Sequence, residues 1–472
     1  MLTPLIVACA LLMENLDGTV VATALPAIAR DLDVPPLHLN LAITAYLLSL
    51  AVFIPVSGWV ADRYGARHVF RTAIVVFTGA SILCGLSDDL AGFVLARILQ
   101  GLGGAMMVPV GRLVVLRATP KADLVRAMTY LTVPALLGPV LGPPLGGFIV
   151  TYLSWRWIFW LNLPIGLIGL VLATLFISGA REPRTPPLDV AGFVLSGVGL
   201  AGLVVAFETL GRDILPPALV LTALAVGAAA IALYVRHARR AAHPLIDLGL
   251  LRIPTFRASI LGGTLFRMGI GAIPFLLPML LQLVFGLSPF SSGLLTFASA
   301  VGSMAMKVSA APILRRFGFR RVLIVNALVS AAFLASYGFF RWDTPAWVIL
   351  ALLLAGGFFR SLQFTALNTI AYADMAPARM SQATSFAGMA QQLSLSLGVG
   401  LGALTLHLAM AARGGGALSA ADFLAAFSTV AASAALSALV FRPLPETAGD
   451  EVSGRTARRR PSTALAPAPQ DG

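Results

Sequence analysis

The sequence predicts an all-α integral membrane protein with fourteen transmembrane helices: two six-helix halves with two further helices inserted between them. Three observations predict it. Of 472 residues, 58% are hydrophobic and only 11% charged, where a soluble domain of this size carries about a quarter charged residues. Apolar runs recur at the length needed to cross a bilayer, about 20 residues as a helix. A short basic loop occurs twice, far apart in the chain.

The apolar runs fall at 4–29, 38–60, 70–87, 90–116, 125–150, 155–178, 188–208, 215–236, 257–284, 290–313, 321–340, 346–371, 381–408 and 420–441. The first resembles a signal peptide, and IVAC ending at Cys9 resembles a lipoprotein cleavage box. No positive segment precedes it and the run continues through two carboxylates, so it is read as the first membrane helix. The stretch ARGGGALSA reads as a loop, and residues 443–472, ending GRTARRRPSTALAPAPQDG, as a disordered cytoplasmic tail.

The net charge of +13 does not imply nucleic acid, because the basic residues sit between apolar runs. With the amino terminus placed inside, the cytoplasmic loops and tail hold 23 Lys and Arg and the outer loops hold 5. Positive loops stay inside, so both termini are expected in the cytoplasm. Trp155, Trp157 and Trp160 then lie at the outer interface, where an aromatic belt belongs. Cys9 and Cys84 lie in apolar runs and the five histidines lack ligand spacing, so neither a disulfide framework, a metal nor a cofactor is expected.

The repeated loop reads ADRYGARHV from Ala61 and LRRFGFRRV from Leu314. Each presents an Arg, an aromatic, a Gly, one spacer and another Arg. The repeat divides the chain into an N-terminal half (1–180), two inserted helices (181–240), a C-terminal half (241–442) and the tail. Such repeats mark secondary transporters.

Glu14 and Asp17 interrupt the first run three residues apart and share a helix face. They lie roughly 15–20 Å from its cytoplasmic end at 1.5 Å per residue. A carboxylate at that depth must face the interior or a watery cavity. Such a pair can carry a proton. The alternative is a structural carboxylate satisfied by an arginine and a hydroxyl such as Thr19. Arg97, about seven residues into the fourth run, reaches a similar depth and is the natural partner.

Arg267, Lys307 and Arg360 lie inside runs of the second half, which offers no acid at comparable depth, and Arg112 lies towards the cytoplasm in the fourth run. Unpaired buried cations are costly, so a carboxylate from the first half or the substrate should meet them. Alternatively Lys307 and Arg267 snorkel to the surface. Met107 and Gln363 complete the candidate substrate contacts. Gly138, Gly142 and Gly146 form a small-residue stripe for close packing, with Pro139, Pro143 and Pro144 bending or stiffening that helix.

Several motifs coincide. GWVADRYGARHVFR at Gly58 resembles the G-x-L-A-D-R-x-G-R-K loop of the major facilitator superfamily, and ARILQGLGGA at Ala96 its R-x-x-Q-G motif. GPVLGPPLGG at Gly138 resembles the helix-five antiporter motif. LDGTVVATALP and SWRWIFWLNLPIG are similar to motifs of the fourteen-helix drug:proton antiporters. The match runs from about Leu11 to Arg442. Glu14, Ala22, Arg315 in the place of Asp62, and Gln391 with Gln392 depart from the usual pattern.

The resemblance implies a major facilitator fold and proton-coupled export by alternating access. The residues themselves point to proton coupling at Asp17 and Glu14, and the resemblance adds Arg97; it assigns gating to Gly58, Asp62, Arg63, Gly65, Arg67 and the Gly138, Pro139, Gly142, Gly146 stripe. The expected cargo is multidrug, suited to Met106, Met107, Met268, Phe275 and Phe364; the alternative is a small organic anion such as citrate or a metal-citrate chelate. The expected partners are a small-molecule substrate, protons and the lipids of a bacterial inner (plasma) membrane around a monomer, with no nucleic acid. An enzyme is not expected: no catalytic constellation is present, and GLGG at Gly101 lies inside a helix without the strand a phosphate loop needs.

Overall fold

The computed structural model describes residues 2–34, 36–177, 186–209, 215–415 and 418–455. Arg181, Arg184, Arg212 and the tail from residue 456 lie outside them, as does the Pro139 side chain.

The apolar runs are helices. The first half holds α1 (Leu2–Asp31), α2 (Pro36–Phe53, continuing through a tight turn into Ser57–Tyr64), α3 (Ala66–Leu86), α4 (Leu90–Ala118), α5 (Leu124–Tyr152) and α6 (Arg156–Trp160, then Asn162–Phe176). The inserted pair is α7 (Val190–Thr209) and α8 (Pro217–Ala238). The second half holds α9 (Pro254–Val284), α10 (Pro289–Phe317), α11 (Phe319–Ser336), α12 (Ala346–Ile370), α13 (Met380–Ala412) and α14 (Ala420–Phe441). Among the described residues, thirteen helices are long and apolar enough to cross a membrane, and α5 is a further helix of 29 residues. The chain is a multi-pass membrane protein. Helices satisfy every backbone group internally, which hydrocarbon demands.

Polar residues set several helix starts. The side chains of Asp89 and Ser288 accept from the backbone N–H groups of Gly92 and Ser291, and Ser419 with Asp422 forms a capping box. Proline does not stop α10, which runs through Pro312. The helix α9 is irregular, with wide π turns at Ala258–Gly262 and Leu280–Val284.

The loop repeat is also a repeat in three dimensions. Gly65 and Gly318 both stand between helices with positive φ, 89° and 77°, a conformation that costs a side chain but not glycine. In both copies the glycine N–H closes on the carbonyl four residues back, Ala61 and Leu314, at 2.9 Å. Packing repeats too: α1 on α5 and α6, α2 on α4, and α3 on α4 and α6 recur as α9 on α13 and α14, α10 on α12, and α11 on α12 and α14.

The inserted helix α7 lies against both α2 and α13, one from each half. Ala51, Leu200 and Val204 form a small buried cluster there, with Met389 and Leu393 packed on it. Asp189 fixes the start of α7: its carboxylate accepts from the Gly192 N–H (2.8 Å), the Leu245 N–H (3.1 Å) and the His237 ring (2.8 Å). Burial opposes its ionisation, but the Gly192 N–H, the His237 ring and the Leu245 N–H together hold the carboxyl below its usual range. Its stabilisation is therefore present at neutral pH and lost as the pH falls through that lowered value. Asp189→Asn is expected to cost about 1–2 kcal/mol at pH 7 and nothing at strongly acid pH, read from thermal unfolding of the two proteins across pH.

One expectation is corrected. Residues 443–455 are not a loose tail. Leu444, Ala448 and Val452 are buried in the main core, and a short helix, Asp450–Ser453, sits beside the second repeat loop. Phe319, at the start of α11, is fully buried and faces Gly449. Arg320 pairs with Glu446 at 3.6 Å, and Lys121 of the first half with Glu451 at 3.4 Å. The second loop carries Arg315 where the first carries Asp62, and the segment brings the Glu446 carboxylate to it.

Candidate functional site

Asp17 lies at the centre of a buried polar network in the first half. Arg97 from α4 donates through Nη1 to Asp17 Oδ2 at 2.6 Å. Gln100, one turn further along α4, donates to Asp17 Oδ1 at 2.9 Å, and Asn162 from α6 to the same oxygen at 3.3 Å. Both amides also donate to Ser81 of α3, at 2.7 and 3.1 Å. Asp17 and Arg97 are 2% and 1% exposed, so neither charge is served by bulk water. A buried pair is tolerated at such depth only when its remaining lone pairs and protons are used.

The hydroxyl in this network is Ser81 rather than Thr19. Thr19 instead donates to the backbone carbonyls of Asn15 and Leu16 and, at 3.3 Å, of Gly138. That last contact belongs to the glycine stripe. A Cβ on Gly138 would lie 2.8 Å from Asn15, and one on Gly142 would lie 2.1 Å from Thr19 Oγ1. Gly146 is buried on the same helix. The stripe lets α5 and α1 touch backbone to backbone.

Glu14 behaves differently from Asp17. Its Oε2 is buried with no hydrogen-bond partner, and so is Nε of Arg97. Tyr46 of α2 lies close to both residues. Arg97 stacks over its ring at 4.3 Å, and a Cβ on Gly104 would lie 3.4 Å from its hydroxyl and 3.6 Å from the Glu14 carboxyl carbon.

The last turns of α2 tie the two halves together at the basic end of the bundle. Asp62 pairs with Arg117 of α4 at 3.0 Å and accepts from the Ser381 hydroxyl of α13. Ser57 and Ser385 hydroxyls meet at 2.9 Å. Gly58 permits the approach, since a Cβ there would lie 2.6 Å from the Ser381 carbonyl oxygen. Arg67 donates to the Thr174 carbonyl in the last turn of α6, a helix-end contact. Arg63 is exposed.

In the second half, Lys307 donates to the Thr365 hydroxyl at 2.8 Å and Arg360 to the Ser299 hydroxyl at 2.6 Å. Arg267 and Arg112 are buried, so the snorkelling alternative fails for Arg267. Two candidates are engaged in packing and helix-to-helix bonds in this structure. Met107 is wholly buried in the apolar core. Gln363 donates to the Leu323 carbonyl at 3.1 Å and accepts from Asn326 at 2.9 Å, so it fastens α12 to α11. Met106 borders an apolar groove of about 940 Å³ among α2, α3 and α4.

Gln100, Asn162 and Ser81 were missed from the sequence. The i, i+3 spacing of Arg97 and Gln100 places both on one face of α4 and was the available signal for Gln100.

A match to the Major Facilitator Superfamily covers residues 7–399 and 259–468. The chain belongs to the major facilitator superfamily. Several relatives carry the name "Putative multidrug resistance protein MdtD". One from Pectobacterium atrosepticum is 39% identical over 93% of this chain and 95% of its own length. One from Klebsiella pneumoniae is 39% identical over 96% of each, and one from Salmonella paratyphi A 41% identical over 85% and 86%. Two solved superfamily structures share the fold at 16% identity. The human organic anion transporter MFSD10 (TETRAN) superposes with a TM-score of 0.69 over 93% of this chain and 99% of its own. The proton:xylose symporter XylE gives 0.66 over 97% and 98%.

Proposed function

We propose that this transporter is a proton-coupled exporter of small molecules, a multidrug antiporter working by alternating access in the bacterial inner membrane, with the basic end in the cytoplasm. The multidrug-resistance name of its relatives supports the cargo class, and the excess of Lys and Arg at one end supports the orientation.

The observation that carries the proton step is the pair of unmet groups around Tyr46. Asp17 is held by three donors, while Glu14 Oε2 and Arg97 Nε have no partner. With a proton on Glu14, Arg97 stays with Asp17. Loss of that proton leaves two carboxylates competing for one guanidinium, and the helices that carry them, α1 and α4, shift to share it. The closed basic end, latched by Asp62, is one of the two states between which this shift chooses.

The test is flux in proteoliposomes under an imposed proton gradient, with a lipophilic cation such as ethidium as cargo. Glu14→Gln is expected to leave downhill exchange and to abolish gradient-driven accumulation. Accumulation in Glu14→Gln equal to that of the parent protein sinks the proton assignment.

A further inference from the structure

Four hydrogen-bonding groups are buried without a partner where the two halves meet near the basic end. Arg267 comes from α9 and Arg112 from α4, on opposite sides of the seam, and they are 2% and 6% exposed. Nε and Nη1 of Arg267, Nε of Arg112 and the Tyr372 hydroxyl make no hydrogen bond. Arg112 and Tyr372 both lie within electrostatic reach of Arg267, and among the described residues no carboxylate does. The polar contact of Arg267 is through Nη2 to Asn368 Oδ1, at 3.4 Å.

Two like charges within electrostatic reach of each other are unfavourable, and burial without counter-charge adds to the cost. Every unmet group here can donate. Guanidinium forks match the geometry of carboxylate and phosphate oxygens, and a phenol adds a further donor. The Phe364 ring lies 6.0 Å from the Arg267 guanidinium. Lys307 and Arg360 do not share this condition, since each has a hydroxyl partner.

We infer that Arg112, Arg267 and Tyr372, with Asn368 beside them, form an oxyanion site that bridges the two halves. An anion seated there neutralises both arginines and holds the basic end shut. Without it, the repulsion between Arg112 and Arg267 favours parting of the halves at that end. The site takes a small carboxylate or phosphate group. Its link to transport rests on the export reading above: an anionic group arriving from the basic side would close the door behind it.

The test is calorimetric titration of the whole protein in nanodiscs, in a chloride-free sulfonate buffer, with inorganic phosphate, acetate, succinate and a tricarboxylate in turn. Saturable binding of at least one oxyanion is expected. Arg112→Gln and Arg267→Gln are each expected to weaken it about tenfold or more, the loss of a charge-assisted contact. Arg316→Gln, at an exposed residue in the last turn of α10, should leave it unchanged. Tyr372→Phe, which keeps both charges, should weaken it a few-fold and covers the case in which an arginine variant does not fold. Binding of carboxylates identifies a group on the cargo, and binding of phosphate alone identifies a gating ion; both support the site. No saturable binding, or equal affinity in the parent, Arg267→Gln and Tyr372→Phe proteins, overturns it. Because no gradient is applied, binding without proton-driven flux would sink the export reading and leave the site standing. Flux without binding would do the reverse.

Discussion

Asp17→Asn is expected to abolish proton-driven export and to lower stability by about 3–5 kcal/mol, the usual cost of removing one member of a buried ion pair. The substitution keeps the shape of the side chain but leaves the Arg97 charge, 1% exposed, without its carboxylate. Two features modulate the loss. The Gln100 and Asn162 amides still find a carbonyl oxygen on the substituted side chain, so part of the network survives. Glu14, with a free buried oxygen, is positioned to replace the missing charge. The Glu14→Gln, Asp17→Asn double variant should therefore lose more than the sum of the single changes, by a coupling of about 0.5–3 kcal/mol. Thermal unfolding of the four proteins measures the coupling, and gradient-driven flux measures the function. A double variant whose losses merely add would show that Glu14 and Asp17 do not share Arg97.

Gly58→Leu is the second large effect. A Cβ at this position would lie 2.6 Å from the Ser381 carbonyl oxygen and 2.7 Å from Ser385 Oγ. The first is backbone and cannot turn aside, so α2 and α13 must separate. The Asp62 contact with Ser381 and the meeting of Ser57 with Ser385 are then lost together. Export is expected to fall to background while the protein stays folded, since the helix contacts within each half do not pass through this point. Alkylation of a cysteine introduced at Gln382, in the crevice beside this contact, should be faster in Gly58→Leu than in the parent. Unchanged alkylation with full transport would show that this contact is not needed for closure.

Much of the fold was legible because bilayer thickness imposes a length, and length can be counted. The repeat loop was legible because its glycines are required by positive φ at Gly65 and Gly318. The nearness of Asp17 and Arg97 followed from depth, which rises by a fixed step per residue. What depth does not give is rotation about the helix axis. These helices are apolar nearly all round, so their sequence pattern barely distinguishes the face turned to a neighbour from the face turned to lipid. Hence Gln363 was assigned to substrate although it faces α11, and Met107 although it is core. The segment after Phe441 was misread for another reason. Its burial depends on three apolar side chains, Leu444, Ala448 and Val452, too few to outweigh its polar composition when the surface that receives them is unknown.

The placement of α7 against α2 and α13 makes the molecule lopsided. A plain two-half transporter has an equivalent flank on either side of its pseudo-axis; here one flank carries an extra hairpin that grips both lobes through Val204, Met389 and their neighbours. In the proposed rocking cycle those surfaces slide on one side only, which would displace the pivot towards the hairpin and give the opposite flank the wider arc.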